Sequence, residues 1–143
     1  MKIEDFEKLK NKVKSELELN QDNIEQQSIR SGTLHQKYLA IYMKELRTYN
    51  RMVAEKEKLY GELYHKYKYP SADDGIGFQF SLDTKGEIDT YINSNNDYYQ
   101  KRLNIQNQEI VVKYLERVLD SINKMSFHIK NYIELMKLKH GLS

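Results

Sequence analysis

From residue 111 onward, Val111, Leu115, Val118, Ile122, Met125, Ile129, Tyr132 and Met136 recur alternately four and three positions apart. That period lines the a and d positions of a heptad along one side of an α-helix. It predicts a long helix over 97–139. With Leu115 at a, Val112, Leu119 and Ile133 stand at e, and Tyr114 and Leu135 at g. The apolar face is therefore wider than one partner helix covers. A softer seam of Leu39, Tyr42, Leu46, Tyr49, Val53, Tyr60, Leu63 and Tyr67, interrupted by Lys56, predicts a second long helix over 22–69. Ile3, Phe6, Leu9, Val13 and Leu17 share one face of a short first helix within 1–19.

The breaks are equally local. Asn20–Asn23 separates the first two helices, with Asp22 as the expected N-cap. Ser31-Gly32 is the place where the second helix would bend, since glycine costs ~1 kcal/mol in a helix interior. Pro70, the single proline, opens an acidic connector over 70–96 that contains Gly75, Gly77 and Gly86. A short extended piece is expected at Phe78–Leu82 and a short helix at Glu87–Asn93. The expected fold is all-α, one helical domain over 1–143: a short N-terminal helix followed by a long helical hairpin.

Two helices of ~40 residues, each ~60 Å long, leave a lone hairpin without a third layer. The wide face of the last helix is then buried by self-association into a closed, symmetric assembly. The alternative is a monomeric three-helix bundle in which the N-terminal helix covers that face. The residues assigned to self-association are Val111, Leu115, Val118, Leu119, Ile122, Met125, Ile129, Tyr132, Ile133 and Met136.

Charge adds a second periodic feature. The chain's net charge is only +2, but residues 31–70 hold eight basic and four acidic side chains, and residues 71–99 hold one and six. Arg30, Lys37, Lys44, Arg51 and Lys58 follow one another every seven residues, all at position f, opposite the seam, and His65 is the next step. The stripe would extend ~42 Å along the helix. It reads either as a polyanion-binding face or as an ordinary solvated face with pairs such as Arg51 and Glu55. At its end, in "ELYHKYKYP", Lys66 and Lys68 complement the helix dipole. Tyr67 continues the seam, Tyr64 is undecided, and Tyr69, where the helix gives out, is the best placed to stack on a base.

Other chemistry finds little footing. There is no cysteine, hence no disulfide or thiolate metal site. His35, His65, His128 and His140 form no pair at metal-ligand spacing, and neither a phosphate-binding glycine loop nor a nucleophile elbow occurs. Asp73, Asp74, Asp83, Glu87 and Asp89 read as solvated carboxylates. No enzyme activity, cofactor or metal is expected. The longest apolar run, Tyr38–Met43, falls far short of the ~20 residues of a membrane span. The N-terminus alternates charge without an apolar h-region, so a soluble, intracellular protein is expected.

Leu119-Asp120, Ile122, Phe127, Ile129-Lys130 and Ile133 in the last helix resemble the UvsY family of phage recombination mediators. So do the opening "KIEDFEKLKNKV" and the order of elements: a Tyr-rich basic helix, a Gly/Asp-rich turn with Phe80 beyond it, then the long C-terminal helix. The resemblance covers nearly the whole chain. It implies a homo-oligomeric ring of about six or seven subunits that binds single-stranded DNA without sequence preference. It further implies displacement of the single-strand-binding protein and loading of a UvsX-type recombinase, in the cytoplasm of the infected bacterial host. The C-terminal helix would be the main self-association element. One departure stands out: the family carries a basic pair just before the position of Leu63, where this chain has Tyr60-Gly61-Glu62. Lys58, Lys66 and Lys68 are the residues expected to take over that role. A structural coiled-coil assembly protein with no DNA-binding role is the competing reading.

Overall fold

The computed structural model describes residues 1–20, 22–70 and 84–141. These form five helices and, among the described residues, no strand: α1 (Ile3–Glu16), α2 (Ile24–Lys68), α3 (Lys85–Ser94), α4 (Asn96–Asn123) and α5 (Met125–Lys139). The extended piece expected at Phe78–Leu82, the turn glycines Gly75 and Gly77, and Asp73, Asp74, Phe80 and Asp83 lie outside the described residues.

The helix ends follow from short polar side chains. Asn23, rather than Asp22, stands at the start of α2, its carbonyl accepting from the Gln27 N–H at 2.9 Å. Asn20 Oδ1 accepts from the backbone N–H groups of Asp22 and Asn23, and Asn23 Oδ1 accepts from that of Asn20. Gln27 Nε2 donates back to the carbonyls of Glu16 and Glu18, at 2.6 and 2.9 Å. The Glu16 carbonyl stands at the end of α1, where helical partners run out, and that of Glu18 also accepts from Asn23 Nδ2 at 2.8 Å. Thr84 caps α3 by accepting from the Glu87 N–H. A single residue, Asn95, separates α3 from α4, and its Oδ1 accepts from the Tyr98 N–H.

The second helix runs through Ser31-Gly32 as one element, and Gly32 has open space where a side chain would be. One expectation is corrected. The last helix, expected as one piece over 97–139, is interrupted at Lys124. The interruption is slight: Lys124 keeps near-helical dihedrals. The bonds from the Lys124 N–H to Asp120 O and from the His128 N–H to Lys124 O both survive. The 4-3 seam therefore passes across it in phase.

Contacts divide the chain, read from its sequence as a single domain, into two compact units: Met1–Leu46 with Ile110–Ser143, and Arg47–Glu109. In unit 1 the core joins Val13 of α1, Leu34 and Tyr38 of α2, and Val111, Leu115, Val118, Ile122, Met125 and Ile129 of α4 and α5. Phe6, Leu9 and Leu17 of α1 pack against it, and Phe6 meets Tyr114 edge-on, at 5.4 Å. The third layer is thus supplied by the chain's own α1. In unit 2 the core is Leu63, Tyr67, Ile88 and Ile92, where α3 packs on the end of α2.

The self-association residues accordingly separate into two groups. Val111, Leu115, Val118, Ile122, Met125 and Ile129 are buried within one chain, where α1 and α2 occupy their face. Leu119 is half-buried against the same core. Tyr132 and Met136 are half-buried, and Ile133, with its neighbours Leu135 and Leu138, is exposed. The seam of α2 is also shifted at its start, since Tyr38 is fully buried while Leu39 is only half-buried.

Candidate nucleic-acid interface

The C-terminal turns of α2 take their orientation from Leu63 and Tyr67. One helical turn apart, these two residues bury against Ile88 and Ile92 of α3 and fix which side of the helix faces inward. Their neighbours must then point elsewhere. Tyr64 and Lys68 are half-exposed, while His65, Lys66 and Tyr69 are exposed, Tyr69 at 60%. The rings of His65 and Tyr69 lie 5.3 Å apart. The Lys68 ammonium sits between two rings, 5.8 Å from the centre of Tyr64 and 5.7 Å from that of Tyr69. Each distance is within cation–π reach.

These side chains line an open cleft of about 560 Å³ with Tyr60, Gly61 and Lys85. Tyr60 is held from behind: its hydroxyl donates to Asp89 Oδ1 at 2.7 Å. That hydrogen bond, followed by burial, pushes the phenol up to about 12. Tyr60 also meets Tyr64 and Tyr98, at 6.0 and 6.4 Å. Beyond its chain neighbours and its own helix backbone, no described atom lies within 4 Å of where a Cβ would stand at Gly61, so the cleft is open beside it. Aromatic faces, two ammonium groups and an imidazole converge, and among the described residues no carboxylate lines the cleft. Such a surface can stack a base and neutralise a phosphate.

The basic stripe is less uniform than its period suggests. In unit 1, Arg30 and Lys44 are exposed, but Lys37 is committed elsewhere. Its ammonium lies 2.5 Å from Glu16 Oε1, and Glu16, with 14% of its side chain exposed, also accepts from the Tyr38 hydroxyl at 3.1 Å. Burial alone would raise the Glu16 carboxyl. The hydrogen bonds from Lys37 and Tyr38, with the charges of Lys37 and Lys12, outweigh it and hold the group below its ordinary value of 4.5. Tyr38 is raised, first by burial and then by the same bond. Lys37 thereby links α1 to α2. In unit 2, Arg51 makes the expected pair with Glu55, at 3.8 Å, and Lys58 is exposed.

Tyr69, Lys68 and His65 are thus brought together with Tyr64, Tyr60 and Lys85. Lys85 carries no signal in the sequence, because only the packing of α3 returns it to α2, across a connector with no pattern to reveal it. Gly61 is visible there as a departure from helix-forming residues, but its openness is not. Among the described residues, no cluster of three His, Cys, Asp or Glu side chains is placed to hold a metal ion. Nor is any helix long and apolar enough to cross a membrane.

Residues 12–142 match the family described as "Recombination, repair and ssDNA binding protein UvsY". No curated protein matches the chain by sequence. Among solved structures, the fold is similar to that of the bacteriophage T4 recombination mediator protein UvsY. Its lattice type IV crystal structure gives a TM-score of 0.78 at 18% identity, over 93% of this chain and 98% of that one. The lattice type II structure gives 0.76 at 20% identity, over 98% of both chains.

Proposed function

This chain belongs to the UvsY family, and we propose that it is a non-enzymatic recombination mediator of a phage. In this reading it binds single-stranded DNA without sequence preference and helps load a UvsX-type recombinase in place of the single-strand-binding protein. The observation that carries the reading is the cleft at the end of α2, where exposed Tyr69 and half-exposed Tyr64 flank Lys68. Stacking on such rings tolerates every base, and cations hold a backbone whatever its sequence. Exposed Lys58 and Lys66 extend the positive surface, together with Arg51; Arg30 and Lys44 offer a second positive stretch in unit 1. Self-association is assigned to α5, whose Ile133, Leu135 and Leu138 are exposed and whose Tyr132 and Met136 are half-buried. A ring built on that face repeats the cleft once per subunit, so weak contacts act together along one strand.

A fluorescence titration of labelled oligonucleotides across a salt series tests the site. Tyr69→Ala should weaken binding on every sequence by ~1–3 kcal/mol per stacked base, with an unchanged salt slope. Lys58→Ala with Lys66→Ala should instead flatten the slope by ~0.7 for each phosphate left without its cation. If both variants bind like the original protein, the strand does not run over this end of α2.

A further inference from the structure

Unit 1 carries a different cleft, of about 460 Å³, where α1 meets α4 and α5. Its floor is Val13, Leu17, Val118 and Met125; three of these are buried and belong to the core, and Leu17 is half-buried against it. Its rim is Lys14, Arg117 and His128, all exposed. A neighbouring cleft of about 380 Å³ shares Tyr114 and Arg117 and adds Lys10 and Lys113. Among the described residues, neither cleft is lined by an aspartate or glutamate. Lys10 is paired with Glu7 on its own helix, so the charge that faces a ligand belongs mainly to Lys14 and Arg117.

An apolar floor inside a rim of one charge sign is complementary to a partner that carries apolar anchors and the opposite charge. The volume lies in the ~300–1,000 Å³ range of built ligand sites, enough for one or two large side chains. The floor argues against a nucleic acid. Bases stack on open ring faces, but the Tyr114 ring is half-buried and met edge-on by Phe6, with their planes at 87°, and the remaining floor is aliphatic and thioether. We propose that this cleft docks an acidic peptide segment of a partner protein. The segment seats large apolar side chains on Val13, Leu17, Val118 and Met125 and sets its carboxylates against Lys14 and Arg117. This surface lies wholly within unit 1 and does not rest on the nucleic-acid reading of unit 2.

The test uses the full chain and a fluorescein-labelled peptide of Asp, Glu, Leu and Phe. A control peptide replaces Leu and Phe with Ala, and a labelled thymidine oligonucleotide is run in parallel. The acidic apolar peptide should bind, and the alanine control should bind at least ~10-fold more weakly, because charge without the apolar anchors gives little affinity. Ser121→Trp fills the mouth of the cleft from an exposed lining position. It should weaken the peptide at least ~10-fold while leaving the oligonucleotide and the melting curve unchanged. Lys14→Glu with Arg117→Glu, both on exposed side chains, should weaken the peptide similarly, and decides the matter if the tryptophan disturbs folding. Three outcomes overturn the proposal. The peptide fails to bind, or binds both variants equally well. Ser121→Trp abolishes oligonucleotide binding, making the cleft a nucleic-acid surface. Or Ser121→Trp lowers the assembly mass in light scattering, making it a contact between copies.

Discussion

Lys37-Tyr38 in unit 1 and Lys68-Tyr69 in unit 2 are the same dipeptide at two places along α2 and its end. In both, the ammonium lies over the adjacent ring, at 5.3 and 5.7 Å. Yet Tyr38 is 0% exposed and Tyr69 is 60% exposed. The difference comes from residues distant in sequence. Tyr38 packs with Val13 of α1 and Leu115 of α4 in one core, and Glu16 takes both its hydroxyl and the Lys37 ammonium. Tyr69 follows the last residue of α2, donates its N–H to His65 O at 2.8 Å, and among the described residues its ring meets the neighbouring His65 ring and Lys68. A Lys-Tyr pair is therefore structural where a carboxylate and a core close over it. It is available to a ligand where the helix simply ends.

The largest test of this contrast is stability. Tyr38→Ala should cost ~3–5 kcal/mol, as removal of a large buried side chain does, and should leave the half-buried Glu16 short of one partner. Tyr69→Ala should stay within ~0.5 kcal/mol of the original protein. Chemical denaturation followed by circular dichroism measures both. Equal losses in the two variants would erase the distinction between the pairs.

Much of this was legible in the sequence, and the rest fails for a common reason. The seam from Val111 to Ile129 and the break at Asn20–Asn23 follow from local periodicity and side-chain chemistry, and both appear in the fold. What covers the seam does not follow, because a 4-3 pattern reports an apolar face without naming its partner. The same spacing is buried by α1 and α2 as far as Ile129, and is half-exposed at Tyr132 and Met136. The stripe is similarly incomplete as a description at Lys37: a seven-residue period puts it on the outer face of an isolated helix, and does not reveal that Glu16 reaches it from α1. Lys85 and the opening beside Gly61 are tertiary facts, and no spacing encodes them.

The second test acts on the latch that makes the first pair structural. Glu16 has its carboxyl depressed in the folded protein. Its contribution is therefore fully present above its ordinary value of 4.5 and is lost as pH falls through the lower folded-state value. Unfolding free energy should decline across that acid window, where protonated Glu16 no longer holds Lys37. Glu16→Gln should cost ~1–2 kcal/mol near neutral pH, as expected for a charge-assisted bond in a half-buried setting. It should also remove part of the acid decline. An acid limb of identical slope in the two proteins would mean that Glu16 does not hold Lys37 in solution.

The smallest effect separates the cleft from the stability of the helix that carries it. Gly61 lies inside α2, where glycine is unfavourable relative to alanine, and it has open space at the Cβ position. Gly61→Ala should stabilise the protein by ~0.5–1 kcal/mol, read as a rise in the denaturation midpoint. A single methyl group leaves most of the 560 Å³ cleft open, so oligonucleotide affinity should hardly change. Gly61→Leu also favours the helix, but its side chain projects into the space between Tyr60, Tyr64 and Lys68. A strand that enters the cleft must then lose affinity even though the protein is more stable. That combination, a higher midpoint with weaker binding, is not produced by general loss of structure. If Gly61→Leu binds oligonucleotide as well as Gly61→Ala does, the strand does not use the cleft, and Lys68-Tyr69 is no more a ligand surface than Lys37-Tyr38.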